Sequence, residues 1–250
     1  MTKNSLRHIE LPPAIRNSLA WGLFFVILSS CSLIFGQTSS TFRIGEKITY
    51  SVSFEKFADV AYGETYVVSR GRLGDKDAVE IRGKFKTRDF LSAAFYLIDE
   101  SRVVFISPES GLPLYVSRSQ NGGIPKETSE NYLETPTTSF DLLSLIYKIR
   151  ASGGAGAATL SENGSIYTVT YAPSTAEKVK TDAGEFETSV INVQSEYFTG
   201  LELKDFRINL SNDDAKVPVL IRFKAKKGEF KMAASSVNVI VPEPEAQPTP

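Results

Sequence analysis

Histidine and cysteine carry most acid–base, nucleophilic and metal chemistry, and this chain has one of each. The histidine is His8 and the cysteine Cys31, and the only tryptophan, Trp21, lies between them. Beyond residue 31 there is no imidazole base and no thiol. Ser-His-Asp and Cys-His constellations are therefore excluded from that part of the chain, as are zinc and copper sites built on those ligands. No Gly-rich phosphate loop follows a strand and opens a helix. Carboxylates remain. Glu127, Glu130 and Glu134 could in principle flank a glycosidic bond, but in so polar a stretch they read as a solvated face. Asn209 to Asp214 offers oxygens to a calcium ion without the spacing of a calcium-binding hand, and reads as a hairpin turn. Lys224, Lys226 and Lys227, near Arg222, could meet an anionic lipid or polymer; the plainer reading is a charged edge strand that blocks sheet-to-sheet aggregation. No catalytic residue, metal or cofactor is assigned, and the chain reads as a protein that is not an enzyme.

These residues must be positioned by elements, and the first stretch is not one of them. Lys3, Arg7 and Arg16 precede an apolar run, Leu19 to Phe35, which gives way to Gly36 and polar sequence. A positive flank, a short apolar core and a small-residue exit make a secretory signal, here residues 1–36. A membrane span wants about 20 strongly apolar residues, whereas this run of 17 is broken by serines near its end. Two exits compete: cleavage after Gly36, or the lipobox-like order Leu28-Ser29-Ser30-Cys31, in which Cys31 is lipidated and tethers the chain to a membrane. Loss of residues 1–36 removes Lys3, Arg7, Arg16 and Glu10 from 28 basic and 29 acidic residues, leaving 25 and 28. That near-balance argues against a nucleic-acid partner.

The remainder, residues 37–241, reads as one β-rich domain, followed by a Pro-rich disordered tail at 242–250. Glu46 to Phe54 alternates Ile48, Tyr50, Val52 and Phe54 with polar residues, the period of a half-buried strand. Thr65–Val68, Ala78–Thr87 and a hairpin of 101–106 with 114–119 follow. Later strands are read at 165–171, 177–181, 186–197, 203–210, 217–225 and 229–241. Phe140 to Arg150 places Leu142, Leu145, Ile146 and Ile149 at helical spacing, with Ser139 at the N-cap position and Gly153-Gly154 as the stop. Residues 89–98 fit either helix or strand. The aromatics Tyr50, Phe54, Tyr62, Tyr66, Phe85, Phe95, Tyr96 and Phe105 read first as core, with some of them able to line a cavity.

The expected fold is mainly β (α+β), a large curved antiparallel sheet or half-open barrel with one covering helix, since so many strands must curl or split into layers. The helix should lie on the concave face, where there is either a packed core or a ligand cavity. Four stretches, FRIGEKITYSVSF (42–54) followed by Tyr62-Gly63, DLLSLIYKIR (141–150), VKTDAGEFETSVINV (179–193) and VPVLIRFKAKKGEF (217–230), resemble domain of unknown function 3108, a family of exported bacterial proteins. The resemblance spans roughly residues 42–233. It implies a periplasmic or cell-envelope protein similar in fold to the half-open barrels of lipoprotein carriers, and it supplies no activity and no site residues. Two functions are expected from this: binding of an apolar or amphipathic ligand such as lipid, or a non-catalytic envelope scaffold. An apolar cavity on the concave face favours the first and a filled interior the second. Ligand-binding residues and oligomeric state are not readable from the sequence.

Overall fold

In β1 (Glu46–Phe54) alternate residues are buried without exception, so the period-two pattern is realised as a strand with one face inward. The computed structural model describes residues 41–88, 98–121 and 124–240. The other strands are β2 (Phe57–Leu73), β3 (Lys76–Thr87), β4 (Asp99–Ile106), β5 (Pro113–Gln120), β6 (Lys126–Asn131), β7 (Gly156–Glu162), β8 (Ser165–Thr181), β9 (Gly184–Ser195), β10 (Lys204–Ser211), β11 (Pro218–Ala225) and β12 (Gly228–Val239). Two helices are described, α1 (Leu142–Ala151) and α2 (Glu196–Gly200).

All twelve strands form one antiparallel sheet in the order β6-β5-β4-β3-β2-β1-β12-β11-β10-β9-β8-β7. The chain meanders outward from β1 to β6 and inward from β7 to β12, so the first and last strands pair in the middle, Phe54 opposite Phe230 and Tyr50 opposite Ala234. Laid flat, twelve strands would span about 50 Å. Instead Arg118 on β5 and Glu162 on β7, from opposite wings, lie 3.2 Å apart. The sheet is rolled into a half-open barrel whose seam runs between β6 and β7. Among the described residues one isolated bridge, Phe140 to Leu160, adds backbone pairing outside the named strands.

Helix α1 lies inside the roll and packs on both wings. Leu145 and Ile149 join Leu160, Val169, Ile191 and Ile208. Leu143 and Tyr147 join Val67, Ile81, Val104 and Val116. Each such buried side chain contributes about 1.5–3 kcal/mol relative to exposure. The bare face of Gly83 makes room for the helix: a Cβ there would stand 3.2 Å from Leu143. The helix stops at Gly153 and Gly154, both at positive φ, where Gly154 N–H donates to Ile149 O at 2.9 Å.

Several expectations need correction. The N-cap is Asp141 rather than Ser139. Its carboxylate accepts from the Leu143 and Ser144 amides at 3.1 and 2.9 Å, and a carboxylate caps as well as a hydroxyl does. The strands read at 165–171 and 177–181 are one strand, β8, because the bulge near Pro173 keeps it paired to β9 throughout. Residues 196 and 197, read as the end of a strand, instead open α2, with Ser195 as its cap. Lys224 and Arg222 are not on an edge: β11 is paired on both sides. Glu127 and Glu130, read only as part of a solvated polar stretch, are on a strand, β6. The signal segment, Cys31, residues 89–97 with Phe95 and Tyr96, and the tail 242–250 lie outside the described residues.

Candidate functional site

Antiparallel order puts the β1–β2, β3–β4, β5–β6, β7–β8, β9–β10 and β11–β12 connections at one end of the roll, called here the open end. There the inward-facing positions carry aromatic rings. Phe54 packs on Phe230 (centroids 4.6 Å apart), Phe230 on Phe223 (5.2 Å), Phe223 on Phe206 (5.7 Å) and Phe206 on Phe198 (4.4 Å). Phe198 continues to Tyr197 (5.5 Å) and Tyr197 to Tyr167 (5.3 Å). The strands bring these rings together in register, Phe54 against Phe230 and Phe230 against Phe223. Helix α2 supplies Tyr197 and Phe198, which carries the stripe on to β8. Five of the seven rings are only half-buried, Phe54 and Phe198 being the covered ones. Phe85 packs on the Phe54 side of the stripe. A cleft of about 490 Å³ opens beside it, lined by Val193, Phe198, Leu203 and Phe206, with Thr168 and Ser195 among its polar residues. That volume is within the range of small-molecule sites, about 300–1,000 Å³.

Across the seam from Tyr197 is a charged cluster at the N-terminus of α1. Glu162 on β7 takes a hydrogen bond from Arg102 (2.6 Å), lies 3.2 Å from Arg118, and accepts from the Leu142 amide (3.3 Å). Arg102 also meets Glu100 at 2.6 Å and Asp141 at 3.6 Å. Burial works against the Arg102 charge, but the hydrogen bond to Glu162 together with the charges of Glu162, Glu100 and Asp141 outweighs it and holds the guanidinium above its ordinary pKa. Burial, and then the Glu162 charge, push the Tyr197 phenol up as well. Arg118 is less well served: its Nε and one terminal nitrogen make no hydrogen bond, and Glu130 stands 3.8 Å away.

At the other end of α1, Arg150 forms a two-pronged pair with Glu46 (2.7 and 3.1 Å) and donates to the Ala215 carbonyl (2.9 Å). Its guanidinium sits 5.0 Å over the Tyr147 ring. Both charges are fully enclosed, so this pair locks the helix rather than offering a site.

A second cleft, of about 540 Å³, lies along the seam between Leu112, Phe140, Lys148 and Ala158. The residues singled out in the sequence are dispersed. Glu127 and Glu134 are exposed, while Glu130 accepts from the Tyr132 phenol. The Asn209 side chain is consumed by Thr188, Glu177 and Arg222. Lys224 pairs with Asp205 at 2.8 Å and Arg222 with Glu177 at 2.7 Å. Tyr50 is core, its hydroxyl donating to the Pro218 carbonyl at 3.0 Å. Among the described residues no group of three His, Cys, Asp or Glu is placed to hold a metal. The charged cluster carried a signal that went unread. Arg102, Arg118 and Glu162 are in phase with the buried Val104, Val116 and Leu160 of their own strands, and a charge at an inward position needs a partner there.

Comparison with known proteins finds a family match over part of the chain. Residues 122–235 match DUF3108, a family of proteins of unknown function. This is the family that the four stretches resemble, although the match begins beyond the first of them. Among curated proteins none matches the sequence. Solved structures do. One is a β-barrel-like protein of domain of unknown function DUF1849 from Brucella abortus. It is 8% identical, with a TM-score of 0.47, 79% of this chain and 98% of that one being covered. A candidate exported protein with a YmcC-like fold from Bacteroides fragilis is 13% identical, with a TM-score of 0.36 and coverage of 78% and 96%. A candidate lipoprotein from Parabacteroides distasonis is 10% identical, with a TM-score of 0.36 and coverage of 79% and 96%.

Proposed function

We propose that this is a non-catalytic protein of the cell envelope that holds the apolar part of a lipid against the aromatic stripe at its open end. The stripe carries the reading: seven rings in unbroken contact, most of them half-buried and two of them, Phe198 and Phe206, lining a cleft, are more apolar surface than a fold needs to leave accessible. The signal-like first 36 residues support export. Absence of His and Cys beyond residue 31 supports a binding role over a catalytic one. A deep cavity of the carrier kind has no support here, because α1 fills the roll from wing to wing. The ligand is therefore assigned to the mouth above the helix.

The test is binding of a fluorescent fatty acid, with lipid extracted from the purified protein identified by mass spectrometry. Phe206→Ala with Phe223→Ala should weaken binding about tenfold, since two rings of contact are lost. Unchanged affinity in a variant with an intact circular dichroism spectrum would end the proposal. A second reading, a scaffold that docks another protein, has one observation in its favour: β6 pairs only with β5 and offers its outer edge to an added strand.

A further inference from the structure

Seven large apolar side chains are strongly exposed among the described residues, and their placement is uneven. Five are at the open end, each at a different connection: Phe57 after β1, Ile98 before β4, Ile124 before β6, Ile166 after β7 and Leu201 after α2. Their exposures are 54%, 41%, 93%, 70% and 52%. The other two, Val239 and Ile240, finish β12 at the opposite end. The sixth open-end connection, between β11 and β12, has no apolar tip and instead carries exposed Lys226 and Lys227 beside the stripe residues Phe223 and Phe230.

We propose that the protein docks on a phospholipid surface by this rim, inserting the tips at Phe57, Ile98, Ile124, Ile166 and Leu201 so that the aromatic mouth faces the lipid. The proposal rests on the lipid reading of that mouth and extends it to the route by which lipid arrives. A second copy of the chain fits the rim poorly. A stable protein interface buries about 1,200–2,000 Å² of contiguous, complementary surface, whereas the exposed tips among the described residues are single side chains on five separate connections. A bilayer interface asks for no shape complementarity: it takes up separate apolar tips one by one. Lys226 and Lys227 complement the phosphates of the headgroups at the one turn that inserts nothing. Elsewhere on the described rim both signs occur, Lys56 beside Glu55 at the β1–β2 turn and Glu202 beside Leu201, so insertion of the tips rather than net charge drives the contact.

The experiment places a polarity-sensitive fluorophore on a single cysteine in the full chain, with Cys31→Ser to remove the native thiol. Phe57→Cys, Ile166→Cys and Leu201→Cys report on the rim; Asp75→Cys, in the exposed β2–β3 turn at the other end, is the control. With vesicles of phosphatidylethanolamine and phosphatidylglycerol, the three rim probes should shift to the blue and become accessible to a lipid-phase quencher, and the probe at 75 should not. A local probe is blind to vesicle binding by the apolar stretch at residues 19–35, so that binding does not counterfeit the result. Rim probes that stay unshifted overturn the proposal, as does a probe at 75 that shifts as much as they do. Failure of the mouth is read separately: rim probes that shift while the protein takes up no fatty acid leave the docking standing and remove the ligand.

Discussion

Glu46 and Arg150 show how much a single inward charge can decide. Both are excluded from water and each depends on the other. Glu46→Gln would leave the guanidinium charged, buried and short of an anion, and should cost about 3–5 kcal/mol in denaturant unfolding. Replacing both, as Glu46→Met with Arg150→Met, should recover most of that loss, because an apolar pair of similar volume carries no desolvation penalty. Gly154 is a second such position. It sits at φ +87°, and a Cβ there would run into the Ile191 side chain. Gly154→Ala should lower the denaturation midpoint more than an alanine at Gly153, where nothing lies within 4 Å and only the positive φ is felt. At this scale the sequence was partly legible. Glu46 is in phase with Ile48, Tyr50 and Val52, so its burial follows from parity alone. Its partner Arg150 is 104 residues away and no local pattern names it.

At the scale of elements, α1 is defined by its ends. Asp141 caps it, Ser144 closes the capping box, and Asp141 also lies near Arg102. Asp141→Ala should cost about 1–2 kcal/mol from the lost cap, and Asp141→Asn should recover part of it, as an amide oxygen still accepts from the helix amides. Thermal unfolding of the two variants separates the cap from the charge. The helix was readable because its apolar spacing, basic last turn and double glycine all agree. Helix α2 was not, because five residues give no periodicity and Tyr197 and Phe198 look like the end of a strand. The aromatic stripe was missed for a different reason. Each ring fits its own strand, and only the pairing of β1, β12, β11 and β10 makes them neighbours.

For the whole molecule, buried phenols set the upper limit of pH. Burial pushes Tyr147 up to about 12. Tyr62 and Tyr132 are also pushed up to about 12, by burial and then by donating to Glu64 and Glu130. A raised folded-state pKa means that the native protein keeps a proton that the unfolded chain gives up. The stabilisation is complete below about pH 10 and is lost as pH rises towards 12. Tyrosinate absorbance and circular dichroism should therefore show alkaline unfolding in that window, and Tyr147→Phe should move its onset upward. The curved sheet with an inner helix was legible from alternation and strand count. The filled interior was not, because both wings must be seen at once before the helix is known to touch each.

The pairing of β1 with β12 has a consequence for the order of events during synthesis. Thr49 and Ser236, hydrogen-bonded across that junction, are 187 residues apart. Every other strand pair is a local hairpin-like step, so two half-sheets can assemble early, but they have no ladder between them until the final strand is made. Closing so long a loop is slow. A nascent chain of this topology stays unfinished until it leaves the ribosome, which is the condition in which a threading secretion channel can still accept it.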